Sequence, residues 1–240
     1  MSIGWRRVRA VVRNELREYR RNRSVVMAMA VLPLVFSIQP LVAVLRLGRD
    51  ASGLLAHGHV LLYMLGIPVL VPVVLAAYAV AGERQQGTLE PVLTTPVRPQ
   101  EFLLGKALAA LGPSLVVSYA VFAIVLALVG LLAQPGISSA LVQWPDVLAQ
   151  MAFTPLLATW SIWVGITVST RASDVRVAQQ VGMLASLPMV VVVVLVALDV
   201  IHPSSGLVMG ATTLLLILDL AGWRVAARLF DRERLVTGAR

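Results

Sequence analysis

The sequence predicts an all-α, polytopic membrane protein of about six transmembrane helices, with an amphipathic interfacial helix ahead of the first. Three observations carry that expectation. Of 240 residues, 58% are hydrophobic and only 13% charged, with a mean hydropathy of +0.85, outside the range of soluble globular domains. Apolar runs of the roughly 20 residues needed to cross a hydrocarbon core recur along the chain. Basic residues collect in alternate connections rather than uniformly. The chain reads as one membrane domain over 1–240: an interfacial helix in 1–24, a bundle in 25–223 and a tail in 224–240.

The elements follow in order. Trp5, Val8, Val12, Leu16 and Tyr19 recur at helical spacing, with Arg6, Arg9, Arg13, Arg17 and Arg20 on the other face. That pattern predicts a helix lying on the membrane surface. No small-residue cleavage site follows, so the first apolar run is expected to stay in the mature protein. The expected spans are Val25 to Leu45, Val60 to Ala81, Ala107 to Leu132, Val147 to Thr170, Val181 to Leu198 and Leu207 to Trp223. Only "DVIHPSSG" separates the last two, which form either a tight helical hairpin or a pair whose connection dips into the bilayer. With the N-terminus inside, Arg46 and Arg49 alone among 20 basic residues fall outside. The positive-inside rule therefore puts both termini in the cytoplasm. Several spans contain proline, which membrane bundles tolerate because neighbours satisfy the freed carbonyls.

Composition also narrows function. There are no cysteines and three histidines (His57, His59, His202), so no thiolate or histidine-built metal site is expected. A net charge of +8 in so apolar a chain fits orientation and contact with anionic lipid headgroups, not nucleic acid. The only Gly-Lys pair, Gly105-Lys106, is followed by Ala107 and has no upstream partner glycine, so no phosphate-cradling loop is present. Nor does the chain carry H-E-x-x-H or G-x-S-x-G. The expectation is a protein without catalysis of its own. Asp219, inside the sixth span and four residues before Trp223, is read as reaching the interface or an arginine of the tail. Gln39, Ser118, Gln150, Thr154 and Ser161 fit either a translocation path or hydrogen bonds between helices.

The stretch "AGERQQGTLEPVLTTPVRPQEFLLGK", Ala81 to Lys106, interrupts the apolar runs with charges and three prolines. Gly87 permits a sharp reversal as the second span ends. Thr88 can cap a short helix starting at Leu89, with Glu90 near its positive N-terminal end. Pro96 and Pro99 then stop propagation, leaving Leu89, Val92 and Leu93 as an apolar ridge beside Glu90. Such a ridge suits docking into a partner groove; the alternative is a solvated loop packing its leucines on its own helix ends. Glu101 and Lys106 are assigned to the interfacial start of the third span.

The order "GTLE", "TTPV", "EFLLGK" after an acidic-basic pair resembles the signature of the type-2 permeases of ATP-binding-cassette transporters, the ABC-2 exporter family. The resemblance extends to the interfacial helix, the six spans, the inside termini and the "RVAQQVGMLASLP" segment opening the fifth span. It implies that the loop between the second and third spans is a cytoplasmic coupling helix pressed into an ATPase subunit, with Glu83, Gly87, Thr88, Leu89, Glu90 and Leu93 in that contact. Further implied are two copies of an ABC ATPase that binds ATP and Mg, a second permease copy, identical or related, and a cell-membrane location, in a bacterium the inner membrane. Export of a hydrophobic or amphipathic cargo suits the mostly apolar bundle with minimal external loops. Two other readings remain: an ion-gradient-driven secondary transporter or channel, which would call for paired intramembrane carboxylates and repeat symmetry, and a non-transporting membrane scaffold.

Overall fold

A computed structural model describes residues 4–46, 59–87, 98–132, 138 and 141–229. The described elements are helical. In order they are α1 (Trp5–Arg21), α2 (Arg23–Arg46), a 3-10 segment (Val60–Leu65) running into α3 (Gly66–Ala76), α4 (Ala81–Gln86), α5 (Pro99–Leu132), α6 (Trp144–Arg171), α7 (Val175–Ala197) and α8 (Ser205–Leu229). Among the described residues, six helical stretches are long and apolar enough to span a membrane, the second being the composite Val60–Gln86. The chain is a multi-pass all-α membrane protein.

The second span is the axis of the bundle. From Val60 to Glu83 every residue is buried except Tyr63, Leu70 and Tyr78, which are partly so. An element apolar on all sides has no face to give to solvent or lipid and is enclosed by its neighbours. α2, α5, α6 and α7 surround it. It lies close against α6, where a Cβ added to Gly165 would stand 2.7 Å from the Ala76 Cβ and 3.0 Å from the Val73 carbonyl oxygen. Side-chain-free backbone at Gly165 lets the two helices touch. Outside this core α8 packs on α6, and the indoles of Trp163 and Trp223 meet edge to face with centroids 5.4 Å apart.

Several helix limits differ from the sequence reading, each for a local reason. α5 begins at Pro99 rather than Ala107. Proline without an N–H is at home in the first helical position, and Glu101 two residues later accepts a bond from the Arg98 N–H at 3.1 Å, the returning half of a capping box. Pro99 therefore starts a helix where the sequence reading had it stop one, and Glu101 and Lys106 lie within that helix. α7 starts at Val175 rather than Val181, because the Asp174 carboxylate accepts the Val177 N–H at 2.9 Å as its N-cap. α6 starts at Trp144 with Pro145 in its first turn. α8 continues through Arg224 and Arg228 to Leu229. Asp219 is thus about 15 Å from the helix end, by the rise per residue, rather than one turn. Its Oδ1 is buried and makes no hydrogen bond among the described residues, so the expected arginine partner is not found there. Between α7 and α8 the chain turns through Asp199 at φ 57°, a left-handed conformation that aspartate tolerates better than most residues.

Candidate functional site

The N-terminal side of the bundle holds most of its buried charge. α1 lies across the first turns of α5, and the contact is closest at Gly105, where an added Cβ would be 2.7 Å from the Val11 Cβ and 3.3 Å from the Val8 carbonyl. The amphipathic register matches the sequence: Val8 and Tyr19 are buried, Val12 and Leu16 partly buried, and Arg6, Arg9, Arg13, Arg17 and Arg20 exposed. Trp5 departs from it and is 66% exposed. One acid, Glu15, falls on the buried face.

Glu15 finds its partner on α5. The Lys106 ammonium stands 2.5 Å from Glu15 Oε1 and 2.6 Å from Glu83 Oε1, and the three side chains are nearly sealed from solvent. The Phe102 ring, one turn below on the same helix, lies 5.1 Å from the ammonium, a cation–π contact that adds to the attraction. Three elements therefore meet at one nitrogen: α1, α4 and α5. Charges taken out of water are costly alone and are retained only where partners compensate. Burial pushes the Glu15 carboxyl above the usual carboxylate range, against the pull of Lys106. Burial likewise raises the Tyr19 hydroxyl well above its usual value.

Further bonds brace the same junction. Glu101 accepts from the Gly4 N–H at 2.8 Å and from Arg7 Nη1 at 3.2 Å, tying the start of α1 to the start of α5. Gln86 donates to Glu18 at 2.5 Å, tying α4 to α1. Arg84 donates to the carbonyls of Ala172 at 2.7 Å and Thr170 at 3.3 Å, so its guanidinium closes the negative C-terminal end of α6. Between α3 and α4 the helix opens into a turn, which Ser169 of α6 mends. Its Oγ accepts from the N–H groups of Val80 at 3.0 Å and Ala81 at 2.9 Å and donates to the Ala77 carbonyl at 2.7 Å. Those three bonds exhaust what a hydroxyl can make.

Of the residues singled out in the sequence, Glu83 is buried on Lys106. Gly87 caps α4 at φ 68°, its N–H donating to the Arg84 carbonyl at 3.2 Å, the left-handed reversal expected of glycine. Thr88, Leu89, Glu90 and Leu93 lie outside the described residues. What is described are the two flanks of that segment: Glu83 and Gly87 before it, Arg98, Glu101 and Lys106 after it. The Glu83–Lys106 pair fastens one flank to the other. Sequence reading missed Glu15 and Ser169. An acid on the apolar stripe of α1 was a readable signal for the first; nothing in sequence distinguishes Ser169.

Inside the bundle Ser118, Gln150, Thr154 and Ser161 are fully buried, and Gln150 donates to Thr154 at 3.2 Å, whereas Gln39 is exposed. At the opposite end His59 Nδ1 and Asp146 Oδ1 are 2.6 Å apart, joining the start of the second span to the start of α6. The charges of the N-terminal junction hold α1, α4 and α5 together.

No curated protein matches the chain. The family model described as ABC-2 type transporter matches residues 6–211, from the first turn of α1 into α8, and so takes in the interfacial helix, the braced junction and five complete spans. That coverage, on an all-α bundle of six membrane-length helices, makes the chain a member of the ABC-2 type transporter family and a membrane permease.

Proposed function

We propose that this permease is an exporter subunit driven by ATP hydrolysis on a separate ATPase, which docks on the segment between α4 and α5. Supporting the reading above all is the buried Glu83–Lys106 ion pair, which cross-braces the flanks of that segment. A push on residues 88–97 then reaches α5 directly and α1 through Glu15, instead of being absorbed by a slack loop. Glu90, with Thr88, Leu89 and Leu93, is the contact with the ATPase; Glu83 and Gly87 hold the contact in place. Both termini and the docking segment are cytoplasmic, as the clustering of basic residues favours. The working assembly has two permease and two ATPase chains, with ATP and Mg on the latter. The cargo is hydrophobic or amphipathic, in keeping with the apolar bundle and its short connections.

The test is reconstitution with the partner ATPase. Glu90→Lys, or Leu89→Asp with Leu93→Asp, should insert normally but lose export and weaken ATPase association. The chain alone should release phosphate at background rate. Export that persists with a hydrolysis-dead ATPase, or collapses with an ion gradient while ATP remains, would replace this reading with a gradient-driven one.

A further inference from the structure

α1 and α5 leave a groove between them on the perimeter of the bundle. It has a volume of about 540 Å³ and is lined by Trp5, Arg6, Val8, Arg9, Val12 and Leu108. Its floor is apolar, supplied by Val8 and Val12 of α1 and Leu108 of α5. Its rim carries two guanidiniums, Arg6 and Arg9, and neither makes an ion pair among the described residues. No acidic residue occurs in α1 before Glu15, so nothing within the helix neutralises them. Trp5, two-thirds exposed, stands at the groove's edge, as tryptophan does at the boundary of water and hydrocarbon.

Beyond Leu108, α5 presents an open face. Leu108, Gly112 and Val116 follow at intervals of four on one face; Gly112 is exposed and Val116 is 68% exposed. An added Cβ at Gly112 would meet nothing within 4 Å. An exposed apolar strip thus leads away from the two arginines along the third span.

We infer that this groove binds an anionic phospholipid, its phosphate on Arg6 and Arg9 and one acyl chain along Leu108, Gly112 and Val116. Charge and shape agree on that occupant. Arginine donates in a fork matched to phosphate oxygens, and an apolar floor followed by an exposed apolar strip suits a molecule with a long apolar tail. An acidic protein segment would satisfy the rim but not the strip. The bound lipid adds to the bonds by which Glu101 and Lys106 of α5 already hold α1.

The full-length chain, purified in uncharged detergent and stripped of lipid, is titrated with phosphatidylglycerol and phosphatidylcholine of identical chains, and occupancy is read by native mass spectrometry. Phosphatidylglycerol is expected to bind in preference. Arg6→Gln with Arg9→Gln should weaken it about 30-fold, from the attraction contributed by two basic residues at a lipid surface, while Arg6→Lys with Arg9→Lys, which keeps the charge but loses the fork, should weaken it by less than the glutamine pair. Arg17→Gln with Arg20→Gln, which removes the same charge elsewhere on α1, should change binding little. Gly112→Trp blocks the strip at unchanged net charge and should also weaken binding. Size-exclusion profiles identify variants that have lost their fold, and Arg6 and Arg9 are exposed enough that theirs should not change. Equal loss from both arginine pairs would leave only diffuse charge attraction and overturn the site. Glycerol phosphate binding as tightly as the lipid would reduce it to a phosphate site without a chain. Polyglutamate binding more tightly than phosphatidylglycerol through Arg6 and Arg9 would assign the groove to an acidic protein segment instead.

Discussion

Lys106 illustrates how much a single side chain can hold when two carboxylates reach it from residues 15 and 83. Removing a central charge strands its partners, and breaking one buried pair costs about 3–5 kcal/mol. Lys106→Met should therefore lower stability by at least that amount, read as thermal unfolding in detergent. Adding Glu15→Gln and Glu83→Gln should recover most of the loss, because no charge then remains buried alone. A single Lys106→Met that unfolds at the wild-type temperature would mean that water reaches the junction. Ser169 works by hydrogen bonds rather than charge. Ser169→Ala leaves two N–H groups and one carbonyl without their partner, and at about 1–3 kcal/mol for each orphaned group the turn between α3 and α4 should become the weakest point of the second span. Faster amide exchange at Val80 and Ala81 than at Val73 in that variant is the expected signature.

At the scale of elements, close helix approach depends on absent side chains. Gly165→Leu puts a side chain where the Ala76 Cβ and the Val73 carbonyl already stand. Overpacking of this kind costs about 1–3 kcal/mol or forces backbone shifts, so α6 should move away from the central span and unfolding should come at lower temperature. Gly105→Leu acts at the other tight crossing, between α5 and α1. Because α1 is also held by Glu15 and Glu101, the expected outcome is displacement of its middle turns, measured as increased protease access after Arg9 and Arg13. Unchanged cleavage would show that α1 tolerates a looser seat. The Gly87 cap is a different case, for its left-handed backbone and not its surroundings makes glycine necessary there.

For the whole molecule, the arrangement of basic residues predicts a sidedness that introduced cysteines can test, since the chain has none of its own. Cysteine at Ser52 or Ser138 should react with an impermeant reagent from outside, and cysteine at Gln86 or Thr237 only after permeabilisation. Outside labelling at Gln86 would invert the orientation and place the braced junction away from any cytoplasmic ATPase.

The sequence by itself determined the class of the molecule: six apolar stretches, an arginine-faced helix before them, and the order of residues from Glu83 to Lys106 that marks the family. These are local or periodic properties, and hydrophobic length and helical spacing are written along the chain. Even the reversal at Gly87 was legible, because it depends on one residue's own backbone. Helix limits were less so, since a cap such as Asp174 or a first-turn proline such as Pro99 competes with the apolar pattern that sets the apparent end of a span. What only the tertiary structure decided is which polar groups meet. Lys106 read as an interfacial marker until α1 and α4 were packed against it, and Ser169 read as nothing at all. Their partners lie far away in sequence, and a buried charge or hydroxyl is defined by the groups that folding brings within about 3 Å of it, a distance that no spacing along a single helix encodes.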